Sequence, residues 1–118
     1  MAVAMREPRG PACLEVIQRE EDRLISAGTV SEILVVAAGR RILPRVLALL
    51  DNLGLQIVPL TAIDARRVGA VYDRWGKGLH PAGLNFGDCF AYELAQRYAC
   101  PLLYVGDDFG KTDVVSAL

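Results

Sequence analysis

Four acidic side chains carry the clearest potential for chemistry in this chain of 118 residues, namely Glu32, Asp88, Asp107 and Asp108. Two ionised carboxylates about 4 Å apart repel each other by about 4 kcal/mol at an effective dielectric constant of 20, so a cluster of them needs a cation or altered protonation. Carboxylate oxygens without histidine or cysteine ligands are typical of magnesium and manganese sites. The chemistry expected of such a site is hydrolysis of a phosphodiester by metal-activated water.

Helix capping offers a second explanation for the same acids. Asn85 is a favourable N-cap residue, and Asp88 three positions later completes a capping box. Glu32 and Asp64 each follow a threonine at the same spacing, and carboxylates interact favourably with the positive end of a helix dipole. The two adjacent aspartates are equally typical of a turn. Spacing by itself therefore leaves both explanations open.

The distribution of charge is more informative than the net charge of −1. Basic residues are concentrated at positions 66–80, whereas acidic residues dominate the last third of the chain. A basic patch beside an acidic pocket suits a phosphodiester substrate whose scissile group is held by a metal ion. Two solvated surfaces of opposite sign are an equally common explanation. A net charge near zero argues against binding to nucleic acid by bulk electrostatics alone.

Bulk composition indicates one globular domain, since 53% of the residues are apolar and 23% are charged. No apolar run approaches the roughly 20 residues that a membrane span requires, and the first residues do not have the order of a signal peptide. Three cysteines without a CxxC spacing and a single histidine argue against a disulfide frame and against a zinc site. We therefore expect a cytoplasmic protein that does not contact a membrane.

The hydrophobic periodicity predicts alternating helices and strands. In chain order we predict a helix over 3–22, a strand at 23–26, a helix from a Thr29–Glu32 capping box to Gly39, a helix at 42–53, a strand at 55–60, a helix at 61–75, a loop at 76–83, a helix from Asn85 to Tyr98, and strands at 101–105 and 114–115. In the helix that begins after Asn85, the predicted buried face comprises Phe86, Phe90, Leu94 and Tyr98. This order predicts a mostly parallel sheet with helices on both faces, and a site at the carboxyl ends of its strands.

Three motifs connect these elements to a known family. They are LISAGTVSE at 24–32, GKGLHPAGLNFGDCFAY at 76–92 and PLLYVGDDFGKTD at 101–113. Together they resemble the PIN-domain toxins of the VapC family, and the resemblance covers nearly the whole chain. It implies a three-layer PIN-like α/β fold and a magnesium- or manganese-dependent endoribonuclease. It also implies a homodimer that is neutralised by a VapB-type antitoxin.

The resemblance also assigns roles to the acidic residues. Glu32 and Asp88 match family acids that act in catalysis and hold the metal. Either Asp107 or Asp108 matches the last acidic position, and Asp107 is taken as the third metal ligand. The motifs thus favour metal binding over capping alone as the role of Asp88.

Further residues are expected to support the site. Arg74, Lys77 and His80 are expected to contact RNA phosphates, although a loop of this composition is equally typical of a simple turn. The hydroxyl group of Thr112 or the carboxylate of Asp113 is expected to support the metal ligands from behind.

One departure from the family concerns the N-terminus. The family begins with a central strand that ends in Asp-Thr/Ser-Ser, and that first aspartate is a metal ligand. The sequence therefore predicts a single PIN-like domain over residues 1–118 that lacks this strand, either because the start codon is assigned too late or because the chain is a truncated remnant. The second case predicts an inactive module that only binds an antitoxin or a dimer partner. In both cases the apolar helices at 29–38 and 42–53 are expected to supply that surface, although core packing is the commoner role of such helices.

Overall fold

Helices alternate with short strands in the computed structural model, which describes residues 10–104 and 106–118. The elements are α1 (Gly10–Arg19), β1 (Leu24–Ser26), α2 (Ala27–Gly39), α3 (Leu43–Leu53), β2 (Gln56–Val58), α4 (Ala62–Trp75), α5 (Phe86–Tyr98) and a 3₁₀ turn (Phe109–Lys111). The predicted order of elements is confirmed as far as the second strand and the two helices that follow it. No described helix is long and apolar enough to cross a membrane.

The sheet of the described residues consists of β1 and β2, which pair in parallel. Ile25 lies opposite Ile57, and Ser26 lies opposite Val58. Parallel neighbours need a crossover connection, which α2 and α3 supply here. The prediction of an α/β fold with a parallel sheet is therefore confirmed.

Local interactions explain where several helices begin and end. Asp64 Oδ2 accepts a hydrogen bond from the backbone N–H of Thr61 at 2.9 Å, and the N–H of Asp64 donates to Thr61 Oγ1 at 3.3 Å, which completes the predicted capping box. Pro44 lies in the first turn of α3, where its missing N–H costs nothing. Gly54 ends α3 with φ of 63°, a left-handed conformation that glycine adopts without strain.

The main hydrophobic core lies between α4 and α5. Its buried members are Val68, Val71, Trp75, Ala82, Leu84, Cys89, Phe90 and Tyr92. A smaller cluster around Ala37 and Val46 joins α2 to α3. Within the main core, Trp75 Nε1 donates a hydrogen bond to the hydroxyl oxygen of Tyr92 at 3.0 Å, so the polar atom of the indole is satisfied.

The predicted start of α2 is wrong. This helix begins at Ala27, and its N-cap is Ser26, whose Oγ accepts a hydrogen bond from the N–H of Gly28 at 3.2 Å. Ser26 ends β1 in an extended conformation, so it caps the helix before Thr29 is reached. Glu32 consequently lies in the second turn of α2, where an N-terminal capping role is excluded.

The two predicted C-terminal strands are also wrong within the described residues. Leu102 and Ser116 form a single parallel bridge, in which the N–H of Leu102 donates to Val115 O at 2.8 Å. A strand needs a neighbour along several residues, and this pairing extends no further. Val105, the last residue of the first of these segments, lies outside the described part of the chain.

The predicted buried face of α5 is correct in its centre and wrong at its ends. Phe90 and Leu94 are buried, but Phe86 is 71% exposed and Tyr98 is 49% exposed. The buried surface instead includes Tyr92 and Glu93. The predicted helical residues 3–9 and the predicted loss of a strand before them lie outside the described residues, so both stay predictions.

Candidate active site

Asp88 occupies the first turn of α5, where it is part of a reciprocal cap. Its backbone N–H donates to Asn85 Oδ1 at 2.9 Å, and its Oδ2 accepts from the backbone N–H of Asn85 at 3.0 Å. In the part of the chain that the structure describes, no hydrogen bond uses Asp88 Oδ1. The cap thus occupies one carboxylate oxygen and leaves the other available to a ligand. Capping and ligand binding are compatible roles for this residue.

Glu32 reaches the same place from α2. Its carboxylate lies against the backbone of Gly87, in the space that a β-carbon at position 87 would occupy. One turn earlier on α2, Gly28 lies directly against the ring of Phe90. These two close approaches bring the side chain of Glu32 to the first turn of α5, next to Asp88.

The ionised forms of Glu32 and Asp88 are disfavoured by their surroundings. Burial raises the pKa of Glu32, and the negative charge of Asp88 raises it further. Burial also raises the pKa of Asp88, the hydrogen bond from Asn85 opposes this shift, and the charge of Asp108 adds to it. Carboxyl groups whose ionised forms are disfavoured in this way are stabilised by a bound cation.

The two C-terminal aspartates differ in their relation to Asp88. Both are exposed, and they precede the 3₁₀ turn, in which the N–H of Lys111 donates to Asp108 O at 3.3 Å. Asp108 is the one whose charge raises the pKa of Asp88. Among the described residues, no three His, Cys, Asp or Glu side chains are close enough to hold a metal ion as they stand. The three acids thus interact as two pairs, Glu32 with Asp88 and Asp88 with Asp108.

The loop at 76–83, which carries Lys77 and His80, is held at the start of α5 by backbone hydrogen bonds. Leu84 pairs with Gly76, donating its N–H to Trp75 O at 3.0 Å and accepting from the N–H of Lys77 at 2.9 Å. His80 Nδ1 accepts a hydrogen bond from the N–H of Ala82 at 2.9 Å. These bonds place the loop at the same end of α5 as Asp88.

The three predicted RNA contacts differ in how free their side chains are. Arg74 stacks over the Trp75 ring at 4.4 Å and lies 3.9 Å from Asp113. His80 contacts the same ring edge-on, with ring centroids 4.7 Å apart, and its Nδ1 is occupied by the hydrogen bond from Ala82 within the loop. Lys77 is exposed and uses only backbone atoms in the described hydrogen bonds. Of the three side chains, that of Lys77 is therefore the least engaged in the described contacts.

Hydrogen bonds of Thr112 and Asp113 stabilise the C-terminal segment and its contact with α5. Thr112 Oγ1 donates to Phe109 O at 2.7 Å, which closes the 3₁₀ turn that follows Asp108. Asp113 Oδ1 accepts a short hydrogen bond from the hydroxyl group of Tyr92 in α5. Their described bonds thus hold the segment that carries Asp108 against α5.

The sequence patterns did not reveal two features, one beside Glu32 and Asp88 and one on the opposite half of α5. The first is the pair of glycines, Gly28 and Gly87, and the available signal was that Gly28 precedes Glu32 by one helical turn. The second is the ion pair of Glu93 and Arg97, whose spacing of four residues is a recognised pattern on a helix. Neither signal predicts burial, which depends on the packing of other elements.

Comparison with known proteins defines the class of fold. Residues 2–115 match the family model of the PIN domain. Ribonuclease VapC28 of Mycobacterium tuberculosis is 36% identical over 122 residues, which cover 100% of this chain and 92% of the relative. Ribonuclease VapC36 of the same organism is 42% identical over 97 residues, covering 77% of this chain and 68% of the relative. The chain therefore belongs to the VapC family of PIN-domain proteins.

Proposed function

We propose that this chain is an endoribonuclease toxin that hydrolyses RNA phosphodiester bonds with the help of Mg²⁺ or Mn²⁺. The observation that carries the proposal is the environment of Asp88, whose carboxylate has one oxygen outside its cap and lies near Glu32 and Asp108. The VapC relatives are named as ribonucleases, which supports the choice of substrate.

The side chains around Asp88 suit a hard divalent cation. Glu32, Asp88 and Asp108 are all carboxylates, and the raised pKa values of Glu32 and Asp88 reflect burial and the repulsion of neighbouring negative charge, which a cation would relieve. We assign Asp88 and Glu32 as ligands, with Asp108 preferred to Asp107 because the charge of Asp108 acts on Asp88. A bound divalent cation supplies Lewis acidity at the scissile phosphate and a source of activated water.

We assign the RNA backbone to the loop between α4 and α5. Lys77 is the principal phosphate contact because it is exposed, and Arg74 and His80 contribute from the side of Trp75. The loop is joined to the helix that carries Asp88, so a strand held by Lys77 would lead towards the acids.

The partner surfaces are proposed on α2 and α3. Val35 is 72% exposed and Leu47 is 41% exposed, which is unfavourable for apolar side chains in water. We propose that these helices contribute to a homodimer or to the contact with a VapB-type antitoxin. Replacing Val35 with Lys is then expected to weaken that association, as measured by light scattering.

One observation favours a second candidate, an inactive module that only binds an antitoxin or a dimer partner. Among the described residues, the acids interact in pairs, and no group of three is assembled. A site with too few ligands would bind a metal ion weakly and leave RNA intact.

Calorimetry and RNA cleavage distinguish the two candidates. The active enzyme is expected to bind Mn²⁺ and to cleave RNA in a manner that EDTA abolishes. Glu32→Gln and Asp88→Asn are each expected to reduce both signals, whereas Glu15→Gln on α1 is a matched control that changes neither. Absence of metal-dependent heat together with intact RNA would establish the inactive module.

A further inference from the structure

The close contact between Glu32 and Gly87 has a consequence for the acidic site. The carboxylate of Glu32 occupies the position of a β-carbon at residue 87, so the two groups are mutually exclusive. We propose that Gly87 is a positioning residue whose missing side chain allows Glu32 to lie beside Asp88. The inference rests on the proposed function, because its importance depends on Glu32 and Asp88 acting together on a metal ion.

Steric reasoning indicates which atoms move when a side chain is added. The atoms that would overlap with a new β-carbon are those of the Glu32 carboxylate, at the end of a side chain with several rotatable bonds. The residue as a whole is exposed, although its carboxylate is packed against Gly87. Rotation of Glu32 towards solvent therefore relieves the overlap without moving either helix. The expected result is a folded protein in which the two acids are separated.

Gly28 provides an informative contrast on the same helix. A β-carbon there would overlap with the ring of Phe90, which is only 8% exposed and belongs to the main core. A buried ring can move only into free space, which closely packed protein interiors rarely provide. A side chain at position 28 is therefore expected to disturb folding, whereas one at position 87 acts mainly on Glu32.

Gly87 has no local conformational reason to be glycine. It lies inside α5 and is absent from the described glycines with a positive φ. Alanine has a higher helix propensity than glycine, so Gly87→Ala favours the helix itself. Gly69 in α4 is a matched control, since a β-carbon at that position would meet no atom within 4 Å.

The experiment measures Mn²⁺ binding by calorimetry and unfolding in urea for Gly87→Ala, Gly69→Ala and the unmodified chain. Gly87→Ala is expected to bind Mn²⁺ about 10- to 100-fold more weakly, as is typical when the support of a metal ligand is altered. Its metal-free unfolding midpoint is expected to stay the same or to rise. Gly69→Ala is expected to leave Mn²⁺ binding unchanged.

A second comparison tests whether Gly87 acts through Glu32. The Glu32→Gln variant already lacks the carboxylate that Gly87 is proposed to position. Adding Gly87→Ala to that variant is therefore expected to weaken Mn²⁺ binding little further, because the effects of coupled residues are not additive. Equal effects of Gly87→Ala in both backgrounds, or unchanged binding in the single variant, would overturn the inference. A failure of the unmodified chain to bind Mn²⁺ would instead overturn the proposed function.

Discussion

Arg97 holds the buried carboxylate of Glu93 by two hydrogen bonds, 2.9 Å from Nε to Oε2 and 2.8 Å from Nη2 to Oε1. The same guanidinium lies 3.2 Å from Asp64, which caps the first turn of α4. One arginine thus neutralises two buried acids and connects the C-terminal half of α5 to the start of α4. This charged cluster lies on the opposite half of α5 from Asp88.

Removal of the Arg97 side chain is expected to destabilise the fold severely, because the carboxylate of Glu93 would remain buried without a partner. Arg97→Met is expected to lower the free energy of unfolding by about 3–5 kcal/mol, as measured in urea. Arg19→Met is the control, since its pair with Glu20 is more than half exposed on both sides and such pairs contribute about 0–1 kcal/mol. Similar losses in the two variants would contradict the assigned role of the cluster.

Substitutions at Asp88 separate its capping role from its proposed role as a metal ligand. Asp88→Asn keeps a carbonyl oxygen that can accept from Asn85, whereas Asp88→Ala loses the cap and is expected to cost about 0.5–2 kcal/mol. Both variants are expected to reduce RNA cleavage by roughly 100-fold or more, because several kcal/mol of metal-dependent stabilisation are lost. Undiminished cleavage by Asp88→Asn would refute the assignment.

Metal-free stability is expected to decrease as the pH rises through the titration of Glu32 and Asp88. Both pKa values are raised above the ordinary values of 4.5 and 3.8, so the folded state binds more protons than the unfolded state in that window. The contribution of these groups is present below the ordinary values and is lost above the raised ones. Urea titrations at a series of pH values measure the slope of the free energy of unfolding against pH.

Two comparisons isolate that slope. The Glu32→Gln/Asp88→Asn double variant lacks both groups and is expected to lose this part of the pH dependence. The pKa of Asp64 is lowered by its hydrogen bonds with Thr61, so its contribution is lost only as the pH falls below 3.8, in a separate window. A decrease in the free energy of unfolding with pH that is as steep in the double variant as in the unmodified chain, or steeper, would contradict the prediction.

Lys77→Ala is expected to weaken RNA binding without affecting folding. Each phosphate contact contributes about 0.7 to the slope of log K against log salt for a single strand, so the slope should fall by about that amount. Filter binding at several salt concentrations with the catalytically impaired Asp88→Asn background measures it. Arg45→Ala on α3 is the control, and an equal change in both variants would exclude a specific contact.

The sequence alone determined the features that depend on neighbours three or four residues apart. The capping boxes of α4 and α5 and the glycine that ends α3 were predicted correctly, since each rests on local hydrogen bonds or backbone conformation. The order of helices and the parallel character of the sheet followed from the alternation of helical and strand periodicity along the chain. The motifs around Asp88 also identified the family correctly.

Only the tertiary structure decided which segments pair and which side chains are buried. The apolar run at 101–104 is bridged at one residue, because strand formation depends on a neighbour that the run itself does not encode. Phe86 fits the helical period of the buried face, yet it lies at the end of α5 and is mostly exposed.

Glu32 shows the same division within the candidate site. Its sequence context placed it in the first turn of a helix, but Ser26 starts that helix earlier and moves Glu32 to the second turn. Its carboxylate reaches Asp88 because α2 packs closely on α5 where Gly28 and Gly87 lack side chains. Residue type determined that Glu32 can bind a cation, whereas the packing of two helices distant in sequence determined which acid lies beside it.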